Sequence, residues 1–473
     1  MPRRNKQKLF KGIRVTDAGA KGKSIATAED GRIIFLNNAV PGDVVDVQTY
    51  KQRKSYYEGK AVAFHELSAK RTQPKCDYFG ICGGCKWQHM AYEHQLAYKQ
   101  NEVINNLKRI GHLQIPLIET IKGSKNIYYY RNKMEFSFSD SRWLSDDEIA
   151  SNKKIMDRNA LGFHIPGMWD KIIDIKHCWL QKDPSNAIRN SIRQFATKNQ
   201  IPFFNARQKT GLLRTLMIRT SSTNELMVLI QFFKNDVEKI ELLMRFIKEQ
   251  FPEISSLLYV VNTKGNDTLY DQDIVCYSGR DHIFEEMEGL RFKINAKSFY
   301  QTNSEQAYEL YKVTRAFADL KGNELVYDLY TGTGTIAQFV AQKAGKVVGV
   351  EAVPEAIAAA KENAQLNKIE NVSFHVGDMK QIFNDGFVSE HGIPDVVITD
   401  PPRDGMHKDV VEQLLKIGPS KIVYVSCNSA TQARDLALMK EAYKVVKVQP
   451  VDMFPQTHHV ENVVLLKLKN ESS

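Results

Sequence analysis

The period of the apolar positions changes along the chain. From residue 12 to about 64, short β-rich runs at 33–36, 44–47 and 61–64 alternate with the turn signals Asp30-Gly31 and Pro41-Gly42, which predicts a small all-β barrel within residues 1–66. Residues 91–110 place Leu96, Val103, Ile104 and Leu107 at helical spacing and close on Gly111, so a helix is expected there. Residues 121–280 turn to β and mixed runs, a strand-rich central region within 67–280. In the remainder, 281–473, the pattern becomes βαβ, with apolar strands at 324–328, 346–351, 372–378, 395–400 and 421–426 separated by helical stretches such as 354–363. The fold class is therefore multidomain α/β, with a parallel sheet at its C-terminal end.

Each of those strands ends in, or at once precedes, a group with chemistry: Asp328, Glu351, Asp378, Asp400 and Cys427. Ligands of open α/β sheets bind in the crevice outside the carboxyl ends of the strands, so these groups are expected to line one site. A solvated charge or a buried thiol explains any one of them; their recurrence at successive strand ends argues for a shared crevice.

Length and charge narrow the partner. A chain of 473 residues, 42% hydrophobic, implies about three domains. Its 65 Lys and Arg against 55 Asp and Glu leave a formal charge of +10, which favours a polyanion. Clustering supports nucleic acid: residues 50–57, Tyr-Lys-Gln-Arg-Lys-Ser-Tyr-Tyr, interleave cations with aromatics, as a surface that tracks phosphates and stacks bases requires, although a solvated hairpin has the same composition. The basic amino terminus leads into no apolar segment and no run is long enough for a membrane span, so a cytoplasmic protein is expected. Six cysteines, three of them between Cys76 and Cys85, suit a reduced compartment with metal-binding or catalytic thiols better than a disulfide scaffold.

The loop Asp328-Leu-Tyr-Thr-Gly-Thr-Gly-Thr-Ile-Ala337 has Gly332 and Gly334 where the backbone must turn and admit a cofactor. A nicotinamide dinucleotide is one candidate, since Ala337 nearly completes its fingerprint. Asp328 before the glycines, Glu351 as a partner for ribose hydroxyls and the Asp400-Pro-Pro-Arg403 motif favour a methyl donor instead. The thiol of Cys427 leaves a strand end, where a doubly wound enzyme places a nucleophile. Glu461 opens the last apolar strand, 461–468, which is expected to run antiparallel beside the strand delivering Cys427 and so to bring the carboxylate near the thiol.

Cys76, Cys82 and Cys85 stand in Cys-Asp-Tyr-Phe-Gly-Ile-Cys-Gly-Gly-Cys and need a fourth ligand. Cys178 is the best placed, with His177 and His89 in reserve, and spacing alone does not separate zinc from an iron–sulfur cluster. Cys276 is assigned to packing.

These motifs together resemble the bacterial RNA (uracil-5-)-methyltransferase family, specifically its 23S ribosomal RNA branch of the RlmD type, over nearly the whole chain. The resemblance implies an N-terminal OB-like TRAM barrel that binds RNA, a central domain carrying a [4Fe-4S] cluster on Cys76, Cys82, Cys85 and Cys178, and a class I, Rossmann-like methyltransferase domain. It implies S-adenosyl-L-methionine as donor, bound by Gln301 (in Phe299-Tyr-Gln-Thr-Asn303), Tyr330, Thr335, Glu351, Asp378 and Asp400. Thr335 departs from the asparagine that relatives often carry. It further implies Cys427 as nucleophile and Glu461 as proton acceptor, 23S ribosomal RNA as substrate, and a helix at 91–110 packed on the catalytic domain; no obligate protein partner is evident in the sequence, and a monomer is expected. Phe299 and residues 128–133 are candidates for holding an extruded base. Rival readings are the same chemistry on transfer RNA, a non-catalytic RNA-binding assembly factor, and an iron–sulfur redox enzyme that would leave Cys427 and Glu461 without a role.

Overall fold

The computed structural model describes residues 7–116, 118–151 and 155–469. Leu9–Ala18, Ser24–Thr27, Ile33–Asn37, Tyr56–Glu66 and Val44–Gln52 close a barrel in that spatial order. Alternation fills it: Ile13, Val15, Ile34, Leu36, Val45 and Val47 point inward and are buried. The basic and aromatic run at 50–57 divides between the two faces. Tyr50 is exposed, whereas Tyr57 is fully buried with its hydroxyl donating to Asp30.

The central sheet has seven strands in the order Val275–Gly279, Ser256–Val261, Leu226–Phe232, Leu213–Thr220, Lys133–Ser139, Ala160–Ile165 and Met168–Asp174. Helices Ser185–Lys198 and Val237–Gln250 cover one face, with Phe195 and Phe246 stacked at 3.9 Å between ring centres. The other face contributes Met217, Leu229 and Val260 to a core shared with Ala337, Val340 and Val425 of the C-terminal region. A hairpin, His282–Met287 with Leu290–Asn295, joins the two. Cys276 does not pack in a core: it lies on the edge strand Val275–Gly279, where one face meets water, and is exposed.

The C-terminal sheet runs Val372–Val376, Lys346–Glu351, Leu325–Leu329, Val396–Thr399, Lys421–Ser426, Glu461–Leu468, Tyr443–Val451. The first five are parallel and Glu461–Leu468 is antiparallel to its neighbour. The Val, Ile and Leu runs of its inner strands are buried on both faces, as helices on both sides of a parallel sheet demand, whereas the edge strand Val372–Val376 buries only Phe374. Chain order reverses direction of growth between Leu325–Leu329 and Val396–Thr399, which opens a crevice at their carboxyl ends.

Helix Tyr92–Arg109 precedes the central sheet in sequence but packs on helix Ser429–Met439 of the C-terminal domain, where the Asn106 amide donates to the Ser429 hydroxyl at 2.8 Å. Its Lys99 Nζ donates to Asp452 Oδ1 at 2.6 Å, both side chains being fully buried. Among the described residues no helix is long and apolar enough to cross a membrane.

Candidate active site

The loop after Leu325–Leu329 is shaped by backbone that few residues tolerate. Tyr330, Gly332 and Gly334 all have positive φ, at 63°, 56° and 75°. A Cβ on Gly334 would lie 2.7 Å from the Phe374 ring and 2.9 Å from Ala360, so only glycine lets the loop sit against the sheet; at Gly332 the same position faces open space. Glu351, at the end of the adjacent strand, accepts from the backbone N–H groups of Gly332 (3.2 Å), Ala352 (2.8 Å) and Val353 (3.1 Å), which fixes its carboxylate at the rim. Asp378 caps the next helix by accepting from Lys380 N and is exposed.

Deeper in the crevice the carboxylates lose their water. Asp328 is fully buried; Thr331 donates to its Oδ2, but Oδ1 has no partner. Burial pushes its carboxyl up to about 7 against that hydrogen bond. Asp400 is also pushed up to about 7, by desolvation first and the charge of Asp328 second. Helix Ser304–Ala318 closes the crevice floor with Tyr311, a buried phenol that feels Asp400, Asp328 and Glu461 and is held protonated by burial. Thr335 is buried with its hydroxyl 3.3 Å from that of Thr333. Gln301 is half-buried, and its carbonyl accepts from the Asn132 amide at 2.9 Å.

Register places the two reacting candidates together. Ser426 pairs with Asn462 across the antiparallel ladder, so the next step brings Cys427 opposite Glu461. Burial pushes the Cys427 thiol up to about 11, with further upward pressure from Glu461 and then Asp400; the Arg403 side chain pulls it down. Glu461 is buried and its carboxyl is pushed up to about 8 by desolvation and by Asp400, again opposed by Arg403. Arg403 is itself held: its Nη2 lies 2.6 Å from His459 Nδ1, and its carbonyl accepts from Asn428 and Thr431. In the sequence the only signal of the His459 contact is the doubled histidine that ends two residues before Glu461.

Cys76, Cys82, Cys85 and Cys178 form a second group. All are free and partly buried. Burial raises Cys82 to about 11 and Cys85 to about 12, and each also feels Cys76 and Cys178. Among the described residues no three His, Cys, Asp or Glu side chains converge on a point fit for a single metal ion. His89 and His177 are engaged elsewhere, against Ala39 O and the Tyr129 hydroxyl. Beside the thiols Lys75 sits 3.9 Å over the Trp179 ring and 5.2 Å from that of Tyr128. Tyr130 is buried and donates to Pro455 O, Lys133 pairs with Glu135, and Phe299 is exposed.

Comparison with known proteins converges on one family. A family model described as tRNA (uracil-5-)-methyltransferase matches residues 223–469. An uncharacterized RNA methyltransferase of Bacteroides thetaiotaomicron is 56% identical over 95% of this chain and 100% of its own length. Another, from Porphyromonas gingivalis, is 52% identical over 97% and 100%. Among solved structures, the Pyrococcus abyssi tRNA (uracil-54, C5)-methyltransferase in complex with S-adenosyl-L-homocysteine superposes with a TM-score of 0.74 at 26% identity, covering 96% of this chain and 100% of that one. By the family model over residues 223–469 and by relatives that match nearly the whole chain, the protein belongs to the tRNA (uracil-5-)-methyltransferase family and is an RNA methyltransferase.

Proposed function

We propose that the protein transfers a methyl group from S-adenosyl-L-methionine to carbon 5 of a uridine in 23S ribosomal RNA. The observation that carries this is a thiol and a desolvated carboxylate brought together at the ends of adjacent antiparallel strands, Cys427 one step past the Ser426–Asn462 pair and Glu461 beside it, with the Arg403 charge acting on both. Carbon 5 of uracil is too weak a nucleophile alone. Cys427 Sγ bonds to carbon 6, the ring becomes an enolate, and its carbon 5 takes the methyl from the sulfonium, which leaves as neutral thioether. Glu461 then removes the carbon-5 proton, the double bond re-forms and the thiolate departs.

The donor would be held by Gln301, Tyr330, Thr335, Glu351, Asp378 and Asp400. In support, the Gly332 loop leaves open space beside a rim carboxylate, and the orphaned Asp328 Oδ1 awaits a partner. The Pyrococcus abyssi relative carries the demethylated product of the same donor. Residues 1–66 would bind RNA and Phe299 would stack on the extruded base. The four cysteines, all free and partly buried, would hold a [4Fe-4S] cluster, with zinc as the lesser alternative. Visible absorption with stoichiometric iron and sulfide from an anaerobic preparation is expected; stoichiometric zinc without iron would contradict the cluster.

Transfer RNA is a second substrate reading, and one observation favours it. The tRNA-modifying relative spans 96% of the chain, so barrel and central sheet accompany tRNA substrates as well. Mapping 5-methyluridine in both RNAs with and without the gene separates the two. The chemistry is tested with 5-fluorouridine RNA, whose fluorine cannot leave as a proton: wild type should form a stable adduct and Cys427→Ala none. Normal methylation by Cys427→Ala would overturn the mechanism.

A further inference from the structure

We propose that His459 is a positioning residue that aims Arg403 at Cys427, so that the nucleophile ionises more readily while the loop leading into Glu461 is in place. Arg403 lies on an exposed turn after Asp400-Pro-Pro, where a long cation is free to point into water. The structure gives its guanidinium a fixed acceptor instead, His459 Nδ1 at 2.6 Å. Guanidinium groups only donate, so Nδ1 carries no proton and the imidazole must be the neutral Nε2–H tautomer. The surroundings enforce that state. His459 is held well below its usual range, at about 4, by desolvation and then by Arg403, Lys99 and Arg131, and its ring lies 4.1 Å from that of His458. No carboxylate is among the groups that act on its titration.

The loop bearing His459 is fixed from three sides. Asp452 accepts from Lys99 and Tyr92 of the long helix. Gln456 O accepts from Lys86 and Trp87 N–H just after the cysteine run, and Pro455 O accepts from Tyr130. The imidazole is thus carried by structure outside the catalytic sheet, while the guanidinium it orients acts on the thiol. Cys427 faces two carboxyls, Glu461 and Asp400, and one cation, Arg403. Losing that cation's orientation leaves the thiol with only groups that oppose its ionisation.

Resting on the reading of Cys427 as nucleophile, the test uses a readout independent of methylation. In the full-length protein, the rate of Cys427 alkylation by iodoacetamide is followed against pH by peptide mass spectrometry, which separates it from the other cysteines. His459→Ala should raise the midpoint by about one pH unit, roughly tenfold slower alkylation at pH 8. Arg403→Leu should do the same, and the double variant should go no further. His459→Gln, whose amide oxygen can accept from Arg403, should keep the wild-type midpoint and serves as the test should the alanine variant not fold. A wild-type midpoint in folded His459→Ala, an additive double variant, or a His459→Gln midpoint raised to that of Arg403→Leu would each overturn the proposal. Failure of RNA methylation with the expected alkylation pattern would instead count against the proposed reaction.

Discussion

Three acids share one dry crevice, and their titration has consequences. Asp328 and Asp400 are pushed up to about 7 and Glu461 to about 8, against ordinary values near 4. Folded protein therefore binds protons that the unfolded chain has released. A group raised in this way contributes stability that is complete below its unfolded value and is lost as pH rises through its folded one. The melting temperature of the donor-free protein should fall between about pH 4 and pH 8 and level off above, and Asp400→Asn should flatten that fall. A positively charged sulfonium beside these groups favours their ionised forms, so donor binding should release protons and tighten with rising pH. Binding of the uncharged thioether product should depend on pH less. Calorimetry in two buffers of different ionisation enthalpy measures the proton release directly; equal release for donor and product would contradict the electrostatic picture. Methyl transfer should likewise gain from rising pH up to about 8, where Glu461 becomes able to accept a proton.

At the scale of elements, two features hold the site in shape. Gly334 must adopt φ 75° against Phe374, so Gly334→Ala combines backbone strain with a steric clash. It should weaken donor binding at least tenfold, while Gly332→Ala, facing open space, should cost less; surface titration of the donor compares them. The Lys99–Asp452 pair is fully buried, and removing one partner of such a pair typically costs about 3–5 kcal/mol because the other charge is stranded. Lys99→Met should lower stability by that order in urea unfolding and should loosen the loop ahead of Glu461. These partners lie 353 residues apart in sequence, so nothing local in either segment announced them. What was legible is what repeats locally. Val, Ile and Leu runs ending in Asp, Glu or Cys revealed the parallel sheet and its crevice, and an apolar run opened by Glu461 placed that carboxylate beside Cys427 because neighbouring strands leave little choice. Tyr57 was read with a binding surface but fills the barrel, since strand alternation there turns it inward. Cys276 was read as core but lies on an edge, because sheet order is not written in a strand's own residues.

For the whole molecule, the cysteine run, the long helix and the segment leading into the central sheet all meet the loop at 452–460 that delivers Glu461. Lys86 with Trp87, Lys99 and Tyr130 bond to it from three separate parts of the chain. Parts that would meet the RNA are thereby tied mechanically to the groups that would act on the base. If the four cysteines hold the proposed cluster, its loss should disorder residues 76–89 and be felt at this loop. Hydrogen exchange before and after chelation of iron is expected to show faster exchange at both places; acceleration at the cysteine run alone would argue against the coupling.

The central claim is that one thiol and one carboxylate act in turn on the same pyrimidine. Its most direct test is Glu461→Gln incubated with natural RNA and S-adenosyl-L-methionine carrying a labelled methyl group. With the proton acceptor removed, methyl transfer should proceed and release should stall, leaving labelled RNA covalently linked at Cys427 and turnover reduced about 10²–10⁴-fold. Free methylated RNA produced at the wild-type rate, with no protein-bound label, would contradict it.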